Sequence, residues 1–462
     1  MFTHLIRKSV LISSNVLIEW SFVKLNILFL CNQPKIGQDA NTIIDHINAF
    51  ESYSKHILWI CSNIGDIPPK LDLNKFDVII IHYSLSLLSN RYISKKSKIK
   101  LKKYTGLKVV FVQDEYRKIN KMINELLFLN IDILFTCFPE NEKERIYKKD
   151  LLPNVSTYSN LTGYIPKRLL DIPNHNQIIN RPIHVGYRSR LLPFWYGELA
   201  YEKWDIVEKW KGFVQRSDIK VDISYNEKDR IYGKDWNSFL LSCKTTLGVE
   251  SGASVMDFTG DIESTVDLYQ LMHPNKTFYQ VQKKFLTKYE GKYNLNQISP
   301  RCFEAIALKT VLVLYEGKYS GILEPGRHYI ELKKDFSNIV EVLGHIKDDD
   351  FLQNMADVAY QEIALNAKYS YKTFVDYFDE VISKEFASRN KRKINIPYKK
   401  NYYQIDVYNH SLKRKLYKIS LENYQKLPPK LGFIVKGIIR PKSSLRYLMR
   451  VFFRLINYIK KK

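Results

Sequence analysis

Cysteine is scarce in this chain, and no two cysteines are spaced for a metal or a redox pair. The five, Cys31, Cys61, Cys137, Cys243 and Cys302, are scattered along 462 residues. That spacing excludes a disulfide framework and fits a reducing compartment. Long apolar runs are lacking too. The best near the N-terminus, VLIEWSFVKLNILFLC, is broken by Glu19 and Lys24, so no transmembrane helix is expected. No small-residue cleavage site follows it, so a signal peptide is not expected, and residues 1–23 read as an extension ahead of the first strand. No internal repeat recurs at a fixed period, and no RRM, KH or zinc signature is present. Acidic residues are nearly missing from one region. Residues 386–462 hold 21 Lys and Arg against only Asp406 and Glu422, a surplus of 19 out of a net charge of +24. The body is therefore close to balanced, and the field belongs to an appendage and not to a basic catalytic cleft.

What is present is the composition of a globular protein, 45% hydrophobic and 26% charged, long enough for two or three domains. Continuous β-branched runs recur in the first half: NILFLC (26–31), HILWIC (56–61), FDVIIIHYS (76–84), LKVVFVQD (107–114) and DILFTC (132–137), with a helix over 41–54. Such runs, separated by helical segments, predict a parallel sheet covered on both faces. The stretch 154–182, rich in Asn, Pro and Thr, reads as a linker. A second set follows: IHVGYRSR (183–190), DIKVDISY (218–225), KTTLGVES (244–251) and TVLVLY (310–315), closed by helices near 335–346, 349–366 and 370–385. The fold class is α/β, with two Rossmann-like domains (24–170 and 171–385) facing a cleft, plus a basic C-terminal extension over 386–462. In that extension Leu445, Leu448, Phe452, Leu455 and Ile459 fall at helical spacing, with Arg446, Arg450 and Arg454 stepping along another face. Residues 443–462 thus predict a basic amphipathic helix.

Ligands in open parallel sheets bind at the carboxyl ends of strands. His82, Asp114 and Glu115 lie at such ends. In the second half Pro300 and Arg301 open a helix, and Glu304 lies one turn in. A helix start presents N–H groups and partial positive charge, suited to a diphosphate, and Glu304 is placed to accept hydrogen bonds from vicinal hydroxyls. The loop after TVLVLY, with Gly317, Gly321 and Gly326, would close over the same ligand. The alternative is a capped surface helix with Arg301 and Glu304 as a local i,i+3 pair.

The run Arg301, Cys302, Phe303, Glu304, Ala305 resembles the R-x-x-E-A pattern of the donor helix in GT-B glycosyltransferases. It is most similar to the CgeB-like (spore maturation protein type) branch. The resemblance extends over residues 24–385 and is best over 296–385, where YSYKTFVDYFDEVI (369–382) looks like the closing helix of that fold. It implies an acceptor domain followed by a nucleotide-sugar donor domain, with Glu304 on the ribose. Related retaining enzymes carry a Glu-x7-Glu pair, but the earlier position here is Asn296. Glu250, on a loop with Ser251 and Gly252, is the candidate substitute; the alternative is a tight turn with Asp257 as a helix cap. Arg188, Arg190 and Lys203 are candidates for the donor diphosphate, or else solvated surface charges. His82 would face the donor sugar, or be a hydrogen-bonded loop histidine. Asp114 or Glu115 would take the acceptor proton, or cap helices. His46 and His56 read as surface or packing residues. No metal site is expected, and no cofactor beyond the nucleotide sugar as co-substrate.

The function expected is transfer from a nucleotide sugar to a glycan or lipid-linked acceptor in surface polysaccharide synthesis. The enzyme would be cytoplasmic, held on the inner face of an anionic membrane by its terminal helix, with no nucleic acid as partner. A nucleic-acid-binding protein working through the tail, and an inactive nucleotide-sugar-binding module, are the rival readings.

Overall fold

The computed structural model describes residues 23–394, apart from 35, 36, 38, 173–176, 215–217 and 392. The expected helix at 443–462 and residues 1–22 of the N-terminal extension lie outside the described residues. In chain order the first domain holds β1 (Asn26–Cys31), α1 (Asn41–Tyr53), β2 (Ile57–Ser62), β3 (Val78–Ile81), α2 (Lys95–Lys103), β4 (Leu107–Phe111), α3 (Ile119–Leu129), β5 (Ile133–Thr136), α4 (Glu140–Ile146) and β6 (Ser156–Ser159). After α5 (Lys167–Leu170), the second domain runs through β7 (Ile183–Arg188), α6 (Glu198–Val214), β8 (Val221–Ser224), α7 (Gly233–Ser242) and β9 (Cys243–Gly248). It continues with α8 (Asp261–Met272), α9 (Phe278–Val281), α10 (Pro300–Ala307), β10 (Val311–Tyr315) and β11 (Tyr329–Leu332). It ends in α11 (Ile339–Lys347), α12 (Asp349–Ala359) and α13 (Tyr371–Ser388).

Both sheets are wholly parallel, with strand orders β2-β1-β3-β4-β5-β6 and β11-β10-β9-β7-β8. These are the two Rossmann-like domains that the apolar runs imply. Every residue of β1, β3, β4, β5 and β10 is buried, as continuous runs must be when helices cover both faces.

Three features differ from the expectation. Strand β6 lies inside the stretch read as a linker; its four half-buried residues, STYS, carry no apolar run, because it is an edge strand. Strand β11 is only four residues long and follows a Gly/Pro loop that masked it. Helix α13, although it follows the second domain in sequence, packs on the first. Its Phe374 and Phe378 join Phe29, Phe50, Phe111 and Phe135 in one buried cluster.

The topology decides where a ligand can enter. In the first sheet the order of strands reverses between β1 and β3, and in the second between β7 and β9. At such a switch point the two following loops diverge and leave a crevice. The chain after β1, β3, β7 and β9 therefore lines the space where the two domains meet. Part of the second domain also crosses over: Ala253, Met256 and Leu295 are buried in the first domain's core, and Lys118 N donates to Asp257 O at 2.5 Å.

Candidate functional site

A cleft of about 530 Å³ opens between the domains, and the four loops named above supply much of its wall. From the first domain come Asn32, Tyr83, Ser84 and Asp114; from the second, Arg190, Lys203, Ser251, Pro300 and Arg301. Six of the residues singled out from the sequence, Asp114, Arg190, Lys203, Ser251, Pro300 and Arg301, are thus brought together.

The cations are the cleft's main feature. Arg190, Lys203 and Arg301 form no ion pair with a carboxylate among the described residues. Arg301 stacks over the Trp236 ring at 5.3 Å, and its guanidinium donates to the Arg188 carbonyl. Burial above all pulls the Lys203 amine down to about 8; Asp114 opposes the fall, and Arg301 and Arg190 add to it. Arg190 and Arg301 are exposed and solvated, whereas the Lys203 charge is held at a cost that an anion in the cleft would relieve.

The start of α10 contributes less than the sequence suggests. Pro300 has no N–H, Arg301 N donates to Ser299 Oγ at 3.4 Å, and Cys302 N donates to Ser299 O at 2.9 Å. Its first N–H groups are therefore satisfied within the chain, leaving the helix dipole and the neighbouring side chains to act on an anion.

Glu304 does not line the main cleft. It lies in an adjoining recess with Arg188, Arg230, Tyr232, Trp236 and Arg301. Its Oε2 accepts from Trp236 Nε1 at 2.8 Å, and burial holds the carboxyl above its usual range. Arg188 is committed elsewhere. It grips Asp222 Oδ2 at 2.8 Å, donates to the carbonyls of Tyr187, Asp222 and Asp229, and stacks on Phe239 at 4.4 Å. With its donors engaged, it shapes the recess wall and is not free for a diphosphate.

His82 points away from the cleft and is fully buried. Its Nδ1 is 2.8 Å from Ser84 Oγ and its Nε2 3.0 Å from His46 Nδ1. Burial, with His46 adding, keeps it neutral, well below the usual imidazole range. The physical reason is the strand's alternation: Tyr83, one residue on, faces the cleft instead. His46 and His56 are likewise buried packing residues.

Asp114 and Glu115 separate in the same way. Asp114 is exposed at the cleft, held in a left-handed turn with φ 54°, and makes no hydrogen bond among the described residues. Glu115 is buried. Its Oε1 accepts from Thr136 Oγ1 at 2.5 Å and Cys137 N at 3.2 Å, and its Oε2 accepts from the Tyr147 hydroxyl. Burial pushes Glu115 up to about 7.

Glu250 is also displaced from the expected position. Its Oε1 accepts from Lys318 N at 3.2 Å and Tyr319 N at 2.8 Å, and its Oε2 accepts from Asn296 Nδ2 at 2.6 Å. It anchors the loop after β10 and does not line the cleft; Gly317 is there because a Cβ would come within 2.8 Å of that carboxylate. Gly252, at φ 122°, lets its backbone pass Leu295 O, 2.3 Å from where a Cβ would stand. It makes a turn and does not face a ligand. Asp257 caps α8, as its alternative reading had it, with Oδ2 accepting from Glu263 N at 2.9 Å and Oδ1 from Gly260 N at 2.7 Å.

The asparagine at 296 now has a structural reason. Asn296→Asp would remove the donor and place a second carboxylate against buried Glu250. The expected cost is about 2 kcal/mol at neutral pH. Urea unfolding of the two proteins at neutral pH measures it; equal stability would contradict this account.

A second cavity, of about 750 Å³, adjoins the cleft on the first domain's side, and Asp114 and Tyr83 line both. Arg117, Lys118 and Lys121 stand at its edge, the first two paired with Glu263 at 2.5 and 2.8 Å. Trp236, Arg230 and Tyr83 are site residues that the sequence reading did not find.

No protein-family model matches the chain, and no curated protein matches it by sequence, so nothing places it in the CgeB-like branch. Among solved structures it is similar to an alpha-glucosyltransferase in complex with UDP-glucose and DNA containing an abasic site. The TM-score is 0.47 at 10% identity, over 78% of this chain and 100% of that one. It is similar to HepE of Anabaena in complex with UDP and glucose, with TM-score 0.42 and 10% identity over 78% and 100%. An alpha1,3-fucosyltransferase gives TM-score 0.37 and 11% identity over 80% and 93%. All these scores lie below 0.5, and the reading of the cleft rests on its own residues.

Proposed function

We propose that the protein is a GT-B glycosyltransferase that binds a nucleotide sugar in the interdomain cleft. The observation that carries the reading is the convergence of Arg190, Lys203 and Arg301, none paired with a carboxylate among the described residues, at the mouth of α10. Arg190 and Arg301 would take the diphosphate oxygens as forked donors and Lys203 as a point charge. Glu304 would accept from the ribose hydroxyls through Oε1, its Oε2 being held by Trp236.

The acceptor would enter through the second cavity, which meets the cleft at Asp114. Asp114 takes the proton from the attacking hydroxyl as its oxygen bonds to the anomeric carbon. The bond from that carbon to the diphosphate breaks, and the leaving oxygen's charge falls on the three cations. The proposal includes no metal ion. A glycan or lipid-linked acceptor, work at the inner face of a membrane and kinship with the CgeB-like branch belong to the same proposal. No described helix is long and apolar enough to cross a membrane.

The test is a panel of nucleotide sugars and free nucleoside diphosphates, screened by thermal unfolding. A ligand at about 100 times its dissociation constant should add about 2.7 kcal/mol of stability. Stabilisation by at least one donor, with turnover when an acceptor is supplied, is the expected result. Binding without turnover on any acceptor would favour the inactive-module reading, and no binding at all would end the proposal.

A further inference from the structure

Helix α2, KKSKIKLKK, holds six lysines and no acid in nine residues. Two of them are consumed by the fold. Lys98 is buried, donating to Leu87 O at 2.7 Å and pairing with Glu125 at 2.9 Å; Lys100 Nζ donates to the carbonyls of Pro68, Pro69 and Leu71. The other four, Lys95, Lys96, Lys102 and Lys103, are exposed and form no ion pair among the described residues. Such a crowd of like charges repels itself, and folding alone gives it no reason to exist.

Apolar side chains lie among these lysines. Ile99 on α2 is 51% exposed, and on the neighbouring α3 Leu127 is 45% and Phe128 40% exposed, with Lys102 Nζ 4.5 Å from the Phe128 ring centroid. The first residues of the basic extension lie at this edge too. Lys391 Nζ donates to Thr105 O at 3.0 Å, two residues past the end of α2, and Ile394 N donates to Asp77 Oδ1 at 2.7 Å.

We infer that the α2–α3 face, with the root of the basic extension, is a docking surface for an anionic lipid bilayer. Exposed lysines supply attraction to acidic headgroups, and Ile99, Leu127 and Phe128 supply apolar area that enters the headgroup boundary. A polyphosphate backbone would use the lysines but not the three apolar side chains, which is why lipid is the occupant chosen over nucleic acid. The surface also connects to the site. Helix α3 runs from Lys121 and Met122 at the second cavity to Phe128 at the patch, and its eleven residues span about 16 Å. An acceptor anchored in the bilayer would have to reach only about that far.

The test uses the full chain and vesicle flotation, with phosphatidylcholine vesicles that contain or lack 30% phosphatidylglycerol. Two variants are compared with wild type: the four exposed lysines changed to Gln, and Ile99→Ser with Phe128→Ser. Each basic residue near an anionic surface contributes about fivefold in partition. The lysine variant should therefore lose at least tenfold on anionic vesicles, and the serine variant a similar amount while keeping wild-type affinity for a single-stranded oligonucleotide. Wild-type partition in either variant overturns the inference. So does a serine variant that loses oligonucleotide binding as fully as vesicle binding, since the apolar side chains would then not be acting on lipid. Unchanged thermal unfolding and unchanged nucleotide binding in both variants would show an intact fold and an unaltered cleft. A failure here would thereby be distinguished from a failure of the proposed activity.

Discussion

Asp114→Asn should lower kcat by a factor of about 10² to 10⁴ and leave the affinity for the nucleoside diphosphate within about twofold of wild type. Asparagine keeps the shape and tolerates the left-handed turn that Asp114 adopts, so the fold should survive. What it removes is the proton acceptor at the junction of cleft and second cavity. Glu115→Gln is the matching control. That carboxylate has both oxygens occupied inside the first domain, so its loss should reduce stability and leave kcat nearly unchanged in the folded fraction. Full turnover in the Asp114 variant would remove it as the base.

Lys203→Met is expected to have two opposite effects. Binding of the diphosphate should weaken by about ten- to a hundredfold, the loss of one charged hydrogen bond. The empty protein should become more stable. An ordinary lysine amine titrates near 10.5, whereas burial in the cleft holds Lys203 at about 8. Between these values the unfolded chain carries a proton that the folded chain lacks, so the folded state gains stability as pH rises through that window. The penalty of burying the charged amine is therefore present in full below pH 8. Methionine of similar length removes it. In the wild type, affinity for the diphosphate should be highest below pH 8 and fall as pH rises through it, because binding needs the charged amine. Calorimetric titration at pH 6.5, 8 and 9.5, for both proteins, checks this; a pH-independent affinity in the wild type would contradict the assignment. A variant less stable than wild type would show that the amine is not strained.

The sequence disclosed the architecture because its strands are continuous apolar runs and each ends where a ligand could bind. It located the cleft loops to within a residue or two but could not say which neighbour faces inward. His82 was chosen and is buried, while Tyr83 faces the cleft; of the named pairs, Glu250 is buried while Ser251 lines the cleft, and Arg188 is spent on Asp222 while Arg190 has no ion pair among the described residues. Side chains at a strand end alternate, so an offset of one residue reverses the role, and only the tertiary packing shows which neighbour points inward. Lys203 lay on a helix with no local sign that it would be left unpaired. Arg230 and Trp236 come from the turn before α7 and from α7 itself, a stretch whose spacing carries no mark of a ligand. The role of Asn296 could not be read because its partner, Glu250, is 46 residues away in the chain. Strand β6 was hidden for a different reason: an edge strand with Tyr158 as its one apolar side chain leaves no hydrophobic pattern to read.

The central claim is that the interdomain cleft holds a nucleoside diphosphate through Arg190, Lys203 and Arg301. A crystal structure of the full chain with the tightest-binding nucleoside diphosphate from the panel tests it most directly. The account predicts diphosphate oxygens within hydrogen-bond distance of at least two of those three side chains, with the ribose in the recess beside Glu304. A diphosphate seated in the second cavity, or on the surface away from α10, would contradict it.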